Sequence, residues 1–263
     1  GDFSVILRWF RDRRRRKLLV QPFPRAWLEV LASNVVVYGE LNDVEQRNVR
    51  DFVKVFVAEK NWEGCGGLTM TDEVRVTVAA QAAVLVLGIG EEYFDHVPSI
   101  LVYPSAYVAR GTSVGDGGIV TEGDSARLGE AWYRGPVIFS WVDVLAGGRG
   151  TARGNVVYHE FAHQLDMLNG RVCDGTPPLQ TADQDRRWLE TTGEEYRRLC
   201  HECAHHHHTL IDCYGATSPA EFFAVSTEAF FTRAHAFKHR HPQLYAVLQE
   251  VYRQDPTARS AAE

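Results

Sequence analysis

The chain has 263 residues, 45% of them hydrophobic and 24% charged, with a formal net charge of −6. That length can bury a sizeable core, and the fractions are those of an ordinary soluble protein. The acidic balance gives no general case for a nucleic-acid partner. The longest apolar run, Val76 to Gly90, holds Thr77 and Gln81 and is too short for stable membrane insertion.

At the N-terminus, apolar residues precede a basic run, the reverse of the secretory order, so no signal peptide is expected. Residues 8 to 17 hold Arg8, Arg11, Arg13, Arg14, Arg15, Arg16 and Lys17, with Trp9 and Phe10 among them. Such a run is usually a solvated N-terminal helix; the alternatives are an anchor on anionic lipid or a nucleic-acid arm. After Pro22 and Pro24, apolar periodicity predicts helices at 25–34 and 43–60. Gly64-Cys65-Gly66-Gly67 breaks the chain before a buried helix at 71–88, entered through Thr69-Met70-Thr71-Asp72 as a capping box.

Pro98 to Val108 reads as a strand with an irregular middle, and Gly111 to Gly118 as a Gly-rich loop. The loop lacks the strand–turn–helix setting and the Lys of a phosphate loop, so no nucleotide is assigned to it. Residues 119–123 and 126–133 read as short strands, and Val137 to Trp141 as a further strand or strand end. An edge strand there can hold an extended peptide by backbone pairing. Helices follow at about 154–168, 181–204, 219–232 and 241–253. The expectation is an α+β, mainly helical fold with a small mixed sheet beside the helix at 154–168. We expect one domain, 1–263, with an N-terminal helical part (1–70) and a core (71–263). The five cysteines are odd in number and irregular in spacing, so no disulfide framework is expected. That reading implies a reducing compartment, hence a cytoplasmic protein.

The helix at 154–168 carries His159-Glu160-Phe161-Ala162-His163, an H-E-x-x-H pentapeptide. Each helical residue turns by about 100°, so the two His lie on one face and can ligate one Zn²⁺ from the same side. Glu160 sits where it can take a proton from an activated water. The bland alternative is a surface helix that happens to carry two His and a Glu. Tyr158, Phe161, Ala162, Leu165 and Leu168 make the segment apolar, and a shared metal removes the cost of burying the three polar groups there. Asp166 shares this face; it receives a ligand imidazole's second N–H, contacts a neighbouring segment or, as the bland alternative, points to solvent.

A catalytic zinc takes three protein ligands and keeps a position open. The downstream acidic candidates are Glu190, Glu194, Glu195, Glu202, Glu221 and Glu228. Glu221 and Glu228 share a face of a helix that starts at Ser218-Pro219, with Ser218 as N-cap, and spacing does not choose between them. Cys200 to His208 packs two Cys and five His into one short stretch. A folded structural zinc site usually recruits two separate segments, so a polar helix end or adventitious metal binding is the better reading of that stretch.

The chain resembles the Mlc titration factor A family of bacterial zinc-dependent peptidases over almost its whole length. The resemblance runs through Phe23-Pro24, Ala58 to Leu68, Ile100 to Pro104, Leu128 to Trp132, Gly135-Pro136-Val137, Asn155 to Asp166, Tyr214 to Val225 and Tyr252 to Pro256. It implies a zincin-like core similar to that of lethal-factor-type metallopeptidases. It implies that the third ligand is the Glu of Ala220-Glu221-Phe222-Phe223-Ala224, hence Glu221 and not Glu228. It also implies that Tyr214 stands over the metal as an oxyanion stabiliser, aminopeptidase activity on small substrates, and binding of the glucose-regulated repressor Mlc. The Cys200–His208 stretch departs from the family pattern.

Two functional readings follow. In the first, the chain is a cytoplasmic zinc metallopeptidase acting on peptide or protein substrates, with an Mlc-like repressor as a further partner. In the second, it is a non-catalytic regulator that sequesters a transcription factor and uses zinc structurally. Glu160 separates them, because a structural site is closed by four protein ligands and has no use for an unligated Glu beside it.

Overall fold

Apolar residues at helical spacing dominate this sequence, and helices dominate the fold. The computed structural model describes residues 2–90, 94–105, 112–114, 120–122, 135–170 and 172–259. The helices are α1 (Asp2–Leu19), α2 (Arg25–Asn34), α3 (Asp43–Glu59), α4 (Asp72–Val86), α5 (Trp141–Gly148), α6 (Val156–Asp166), α7 (Ala182–Ala204), α8 (Pro219–Thr232), α9 (Ala234–Arg240) and α10 (Pro242–Tyr252). The strands are β1 (Asn61–Gly64), β2 (Ser99–Tyr103), β3 (Thr112–Val114), β4 (Val120–Glu122) and β5 (Val137–Ser140).

Local chemistry sets several helix starts. Asn42 caps α3 in a reciprocal box with Glu45, Thr71 caps α4, Asn155 caps α6, and Ser218 caps α8 with Pro219 in its first turn. α4 is buried from Val74 to Val86 apart from Arg75 and packs against α2, α3, α5 and α6. In α1, Arg15 donates both guanidinium arms to Glu59 at 2.9 and 2.6 Å and also bonds Asp95, which Arg11 reaches at 2.7 Å. Part of the basic run therefore pairs within the chain, while Trp9 and Phe10 stay exposed.

The sheet order is β1-β2-β5, and its pairs are parallel. The expected α+β, mainly helical architecture holds, but this sheet is parallel rather than mixed. The reason is connectivity: α4 returns the chain from β1 to β2, and a helical crossover brings a strand back in the same direction. β3 and β4 form a separate antiparallel pair, so part of the expected Gly-rich loop is strand. The strand expected at 126–133 lies outside the described residues. α5, α9 and β1 were not expected. α5 is short and ends in glycines, and a Cβ at Gly147 would crowd Asn155 at 3.1 Å, so close approach rather than helix propensity sets its composition. β1 has the polar sequence Asn-Trp-Glu-Gly and gains its form from pairing with β2.

One hydrophobic cluster runs from Leu31 to Tyr252, and Phe161 of the pentapeptide is fully buried within it. Its ring lies 4.4 Å from Phe94, 5.9 Å from Phe56 and 6.1 Å from Phe139, centroid to centroid. α6 is thereby anchored to α3 and to β5. Among the described residues no helix is long and apolar enough to cross a membrane. Cys203 and Cys213 form a disulfide, while Cys65, Cys173 and Cys200 are free thiols. A single local bond is not a framework, but it removes the cysteine argument for a reducing compartment.

Phe161→Ala should lower stability by about 3–5 kcal/mol, the usual cost of emptying an aromatic site in a packed core. A urea titration checks this: the midpoint should fall with the slope unchanged.

Candidate metal centre

α6 and α8 pack against each other and place four polar side chains at their contact. His159 Nε2 lies 3.1 Å from His163 Nε2 and 3.0 Å from Glu221 Oε2, which is 3.4 Å from His163 Nε2. Ligand atoms of these three residues all fall within 4.8 Å of one another. The His pair meets because four residues make about one turn. Glu221 meets them because Ser218 Oγ accepts from Glu221 N at 3.2 Å, which starts α8 with that residue in its first turn.

The other nitrogen of His159 is also engaged. Its Nδ1 lies 2.8 Å from Glu228 Oε1. Glu221 and Glu228, seven residues apart on α8, thus address the two nitrogens of one ring. A carboxylate on Nδ1 assigns the ring hydrogen to that side and turns the Nε2 lone pair toward His163 and Glu221. Glu228 Oε2 accepts from Asn155 N at 2.5 Å. Gly154 permits this approach, because a Cβ there would collide with the carboxylate.

The residues fit a metal ion. His159 Nε2, His163 Nε2 and Glu221 Oε2 crowd one point, where a single hydrogen satisfies one contact and a cation satisfies all three. Glu221 Oε2 is buried 3.0 Å from His159 Nε2, and no hydrogen bond of regular geometry satisfies it among the described residues. Burial pushes His159 down, but Glu221 and Glu228 outweigh it and raise the imidazole to about 10. Burial pushes Glu221 up, and His159 and His163 more than offset that, holding it at about 2. Two imidazoles and a carboxylate are a donor set that zinc takes in catalytic sites. His159 is fully buried, whereas the His163 and Glu221 side chains each keep 15% exposure, so the cluster has an open side.

A family model described as glucose-regulated metallo-peptidase M90 matches residues 8–253. The chain belongs to this family. It is 37% identical over 247 residues to an uncharacterized protein of Synechocystis, a match covering 93% of this chain and 90% of the relative. It is 29% identical over 257 residues to Mlc titration factor A of Yersinia pestis, covering 95% and 90%, and the figures are the same for that of Yersinia pseudotuberculosis. Membership in a metallopeptidase family implies a metal ion, and the His159–His163–Glu221 group is a candidate set of ligands for it.

Glu160 is half-buried beside this group and has no hydrogen-bond or ion-pair partner among the described residues. Burial pushes its carboxyl above the usual range, against the pull of His159 and His163. Tyr214 stands on the 3₁₀ turn Cys213–Ala216, its ring 6.1 Å from that of His159. Of the courses open to Asp166, the structure shows contact with a neighbouring segment. It closes the turn after α6 by accepting from Gly175 N at 2.8 Å and Thr176 N at 2.9 Å, and Cys173 Sγ faces His163 Nδ1 at 3.4 Å. Asp166 ends α6, where the returning chain offers two backbone donors, and Gly175 at φ +83° makes that turn. Among the described residues no metal-competent group includes the Cys200–His208 stretch, where Cys203 is bonded to Cys213. The contact of Glu228 with His159 was legible only as a seven-residue spacing from Glu221. Asn155 and Gly154 carried no sequence signal for their part in it.

Glu228→Ala should weaken metal binding by about 10–100-fold, the usual effect of removing a ligand's hydrogen-bond partner. Glu221→Ala should weaken it more. Chelator competition on both variants at one pH checks the order, and a larger loss in Glu228→Ala would reverse the assignment.

Proposed function

We propose that this chain is a zinc-dependent peptidase in which His159, His163 and Glu221 hold the ion and Glu160 is the general base. The observation that carries this reading is three converging ligand atoms with an open side, next to a carboxylate that has no hydrogen-bond or ion-pair partner among the described residues. A structural site would be closed by a fourth protein ligand. Zinc, when bound, supplies a Lewis acid that polarises the scissile carbonyl and makes water a nucleophile near neutral pH.

The chain's own residues do the rest. Glu160 takes the proton of the attacking water and returns it to the leaving amine. Its raised pKa direction suits a group that must both accept and give up a proton. Tyr214 donates to the developing oxyanion, which stabilises the transition state more than the ground state. Glu228 holds the His159 ring in its ligating tautomer. β5 ends the sheet order, and its outer edge among the described residues suits an extended substrate backbone. The resemblance stated above points to aminopeptidase-like cleavage.

A second reading is favoured by the name of the Yersinia relatives, Mlc titration factor A. In it the chain binds an Mlc-like transcriptional repressor in the cytoplasm and withdraws it from its operators. Binding and hydrolysis are compatible on one fold.

The purified chain should hold about one catalytic zinc, and the His159→Ala/His163→Ala double variant should lose it. Metal analysis of the variant against the parent is the check, because the Cys200–His208 stretch can bind metal adventitiously; a variant with full zinc and activity would sink the assignment. Glu160→Gln should keep the zinc and lose peptide hydrolysis by at least about 10²-fold. Steady-state hydrolysis with metal content measured on the same sample decides this, and near-parental turnover would remove Glu160 from its role. If Glu160→Gln still bound a repressor, the two roles would be separable.

A further inference from the structure

A cavity of about 330 Å³ reaches His159 and Tyr214, and its wall also contains Arg153 and Arg233. Arg153 lies just before the α6 cap, and Arg233 follows the last residue of α8. The two helices that supply the candidate ligands therefore each deliver a guanidinium to one space. Neither Arg has a carboxylate within 4.0 Å among the described residues. Arg153 Nη2 donates to Thr209 O at 3.3 Å, and Arg233 Nε is buried without a hydrogen-bond partner among the described residues. Burial first, and the charge of Arg153 second, hold Arg233 below its ordinary value, with Glu228 and Asp212 opposing.

Two other arginines that pack against the fold meet carboxylates. Arg15 is paired with Glu59 and Asp95, and Arg259 with Glu45. Three carboxylates also line the cavity: Asp143, Asp212 and Glu228. Both oxygens of Glu228 are occupied by His159 and Asn155, and Asp212 accepts from Tyr214 N at 2.9 Å. Guanidinium does not lose its proton in proteins. Glu228 and Asp212 act on Arg233 only from beyond ion-pair distance, so the N–H forks of both arginines stay open to an added anion. A planar fork of N–H donors matches a carboxylate in shape as well as charge.

We propose that Arg153 and Arg233 form a carboxylate-binding subsite of the cleft, and that the substrates are short peptides presenting a carboxylate on that side of the scissile bond. Its place in the cleft rests on the peptidase reading; its anion chemistry does not. The carboxylate comes either from the peptide C-terminus or from an acidic side chain.

The test compares alanylalanine, its C-terminal amide and alanylaspartate amide as substrates of the zinc-loaded chain. A charge-assisted pair should favour a carboxylate over its amide by at least about tenfold in kcat/KM, mostly through KM. Preference for alanylalanine assigns the C-terminus, and preference for alanylaspartate amide assigns the side chain. Arg153→Gln and Arg233→Gln should each bring the favoured ratio toward one, and Arg233→Lys should keep part of it. Arg153 is exposed, so its variant keeps the test open if Arg233 variants fold poorly. Calorimetric titration of zinc-loaded Glu160→Gln with the same three compounds, with and without the Arg substitutions, reads binding apart from turnover. Arg-dependent carboxylate binding without hydrolysis of any peptide by the parent chain would support the subsite and remove the peptidase. Hydrolysis with no carboxylate preference, or with a preference both Arg→Gln variants retain, would overturn the subsite alone. Neither binding nor hydrolysis would overturn both.

Discussion

Glu228 is the group on which the geometry of the site depends. One oxygen lies against His159 Nδ1 and the other receives the backbone N–H of Asn155, so a single carboxylate ties α8 to the start of α6. A buried carboxylate is costly unless its lone pairs are filled, and both oxygens of this one are engaged. Its charge also lies at the N-terminus of α6, where the helix dipole favours it. Asn155 extends the chain of contacts. It caps α6 through Oδ1, and its amide donates to Gln81 of α4 at 2.7 Å, while Gln81 donates to Val144 O of α5. Four helices are thus joined by a continuous buried hydrogen-bond path that begins at the ring of His159.

The two faces of α6 divide the work. His159 and His163 face α8, while Phe161, Ala162 and Leu165 enter the core. Phe161 and Ala162, between the two His, are therefore structural, and the aromatic contacts of Phe161 hold this helix at a set height over the sheet. Preorganisation of this kind is what a metal-dependent reaction needs, because a ligand that must be ordered on binding weakens the ion. Tyr214 is held differently. It sits on a short turn, which the Cys203–Cys213 bond ties to the end of α7 and the Asp212 side chain caps. The cavity beside it draws on the same turn and on both helices that carry the candidate ligands.

Much of this was readable from residue order. Periodicity placed α2, α3, α4, α6, α7, α8 and α10 to within a few residues, because each has an apolar face and most carry a cap of Thr, Asn or Ser. The expected sheet position at Val137 to Ser140 also held. Two of the missed elements share a cause. β1 is polar in composition and α5 is glycine-rich, so both depend on what packs against them rather than on local preference. Asp166 shows the same limit at one residue: its spacing put it on the ligand face, but the returning backbone of Gly175 and Thr176 took its oxygens.

By itself the sequence determined the pairing of His159 with His163, because four residues in a helix make a turn, and the shared face of Glu221 and Glu228. It also determined where α8 begins, because Ser218 and Pro219 act within one turn of chain. Only the tertiary structure decided which nitrogen of His159 each carboxylate addresses, that Arg153 and Arg233 border one cavity, and that Cys203 lies within bonding reach of Cys213. These are contacts between elements, set by how helices pack and by which buried polar groups must be satisfied together. No spacing along a single helix encodes them.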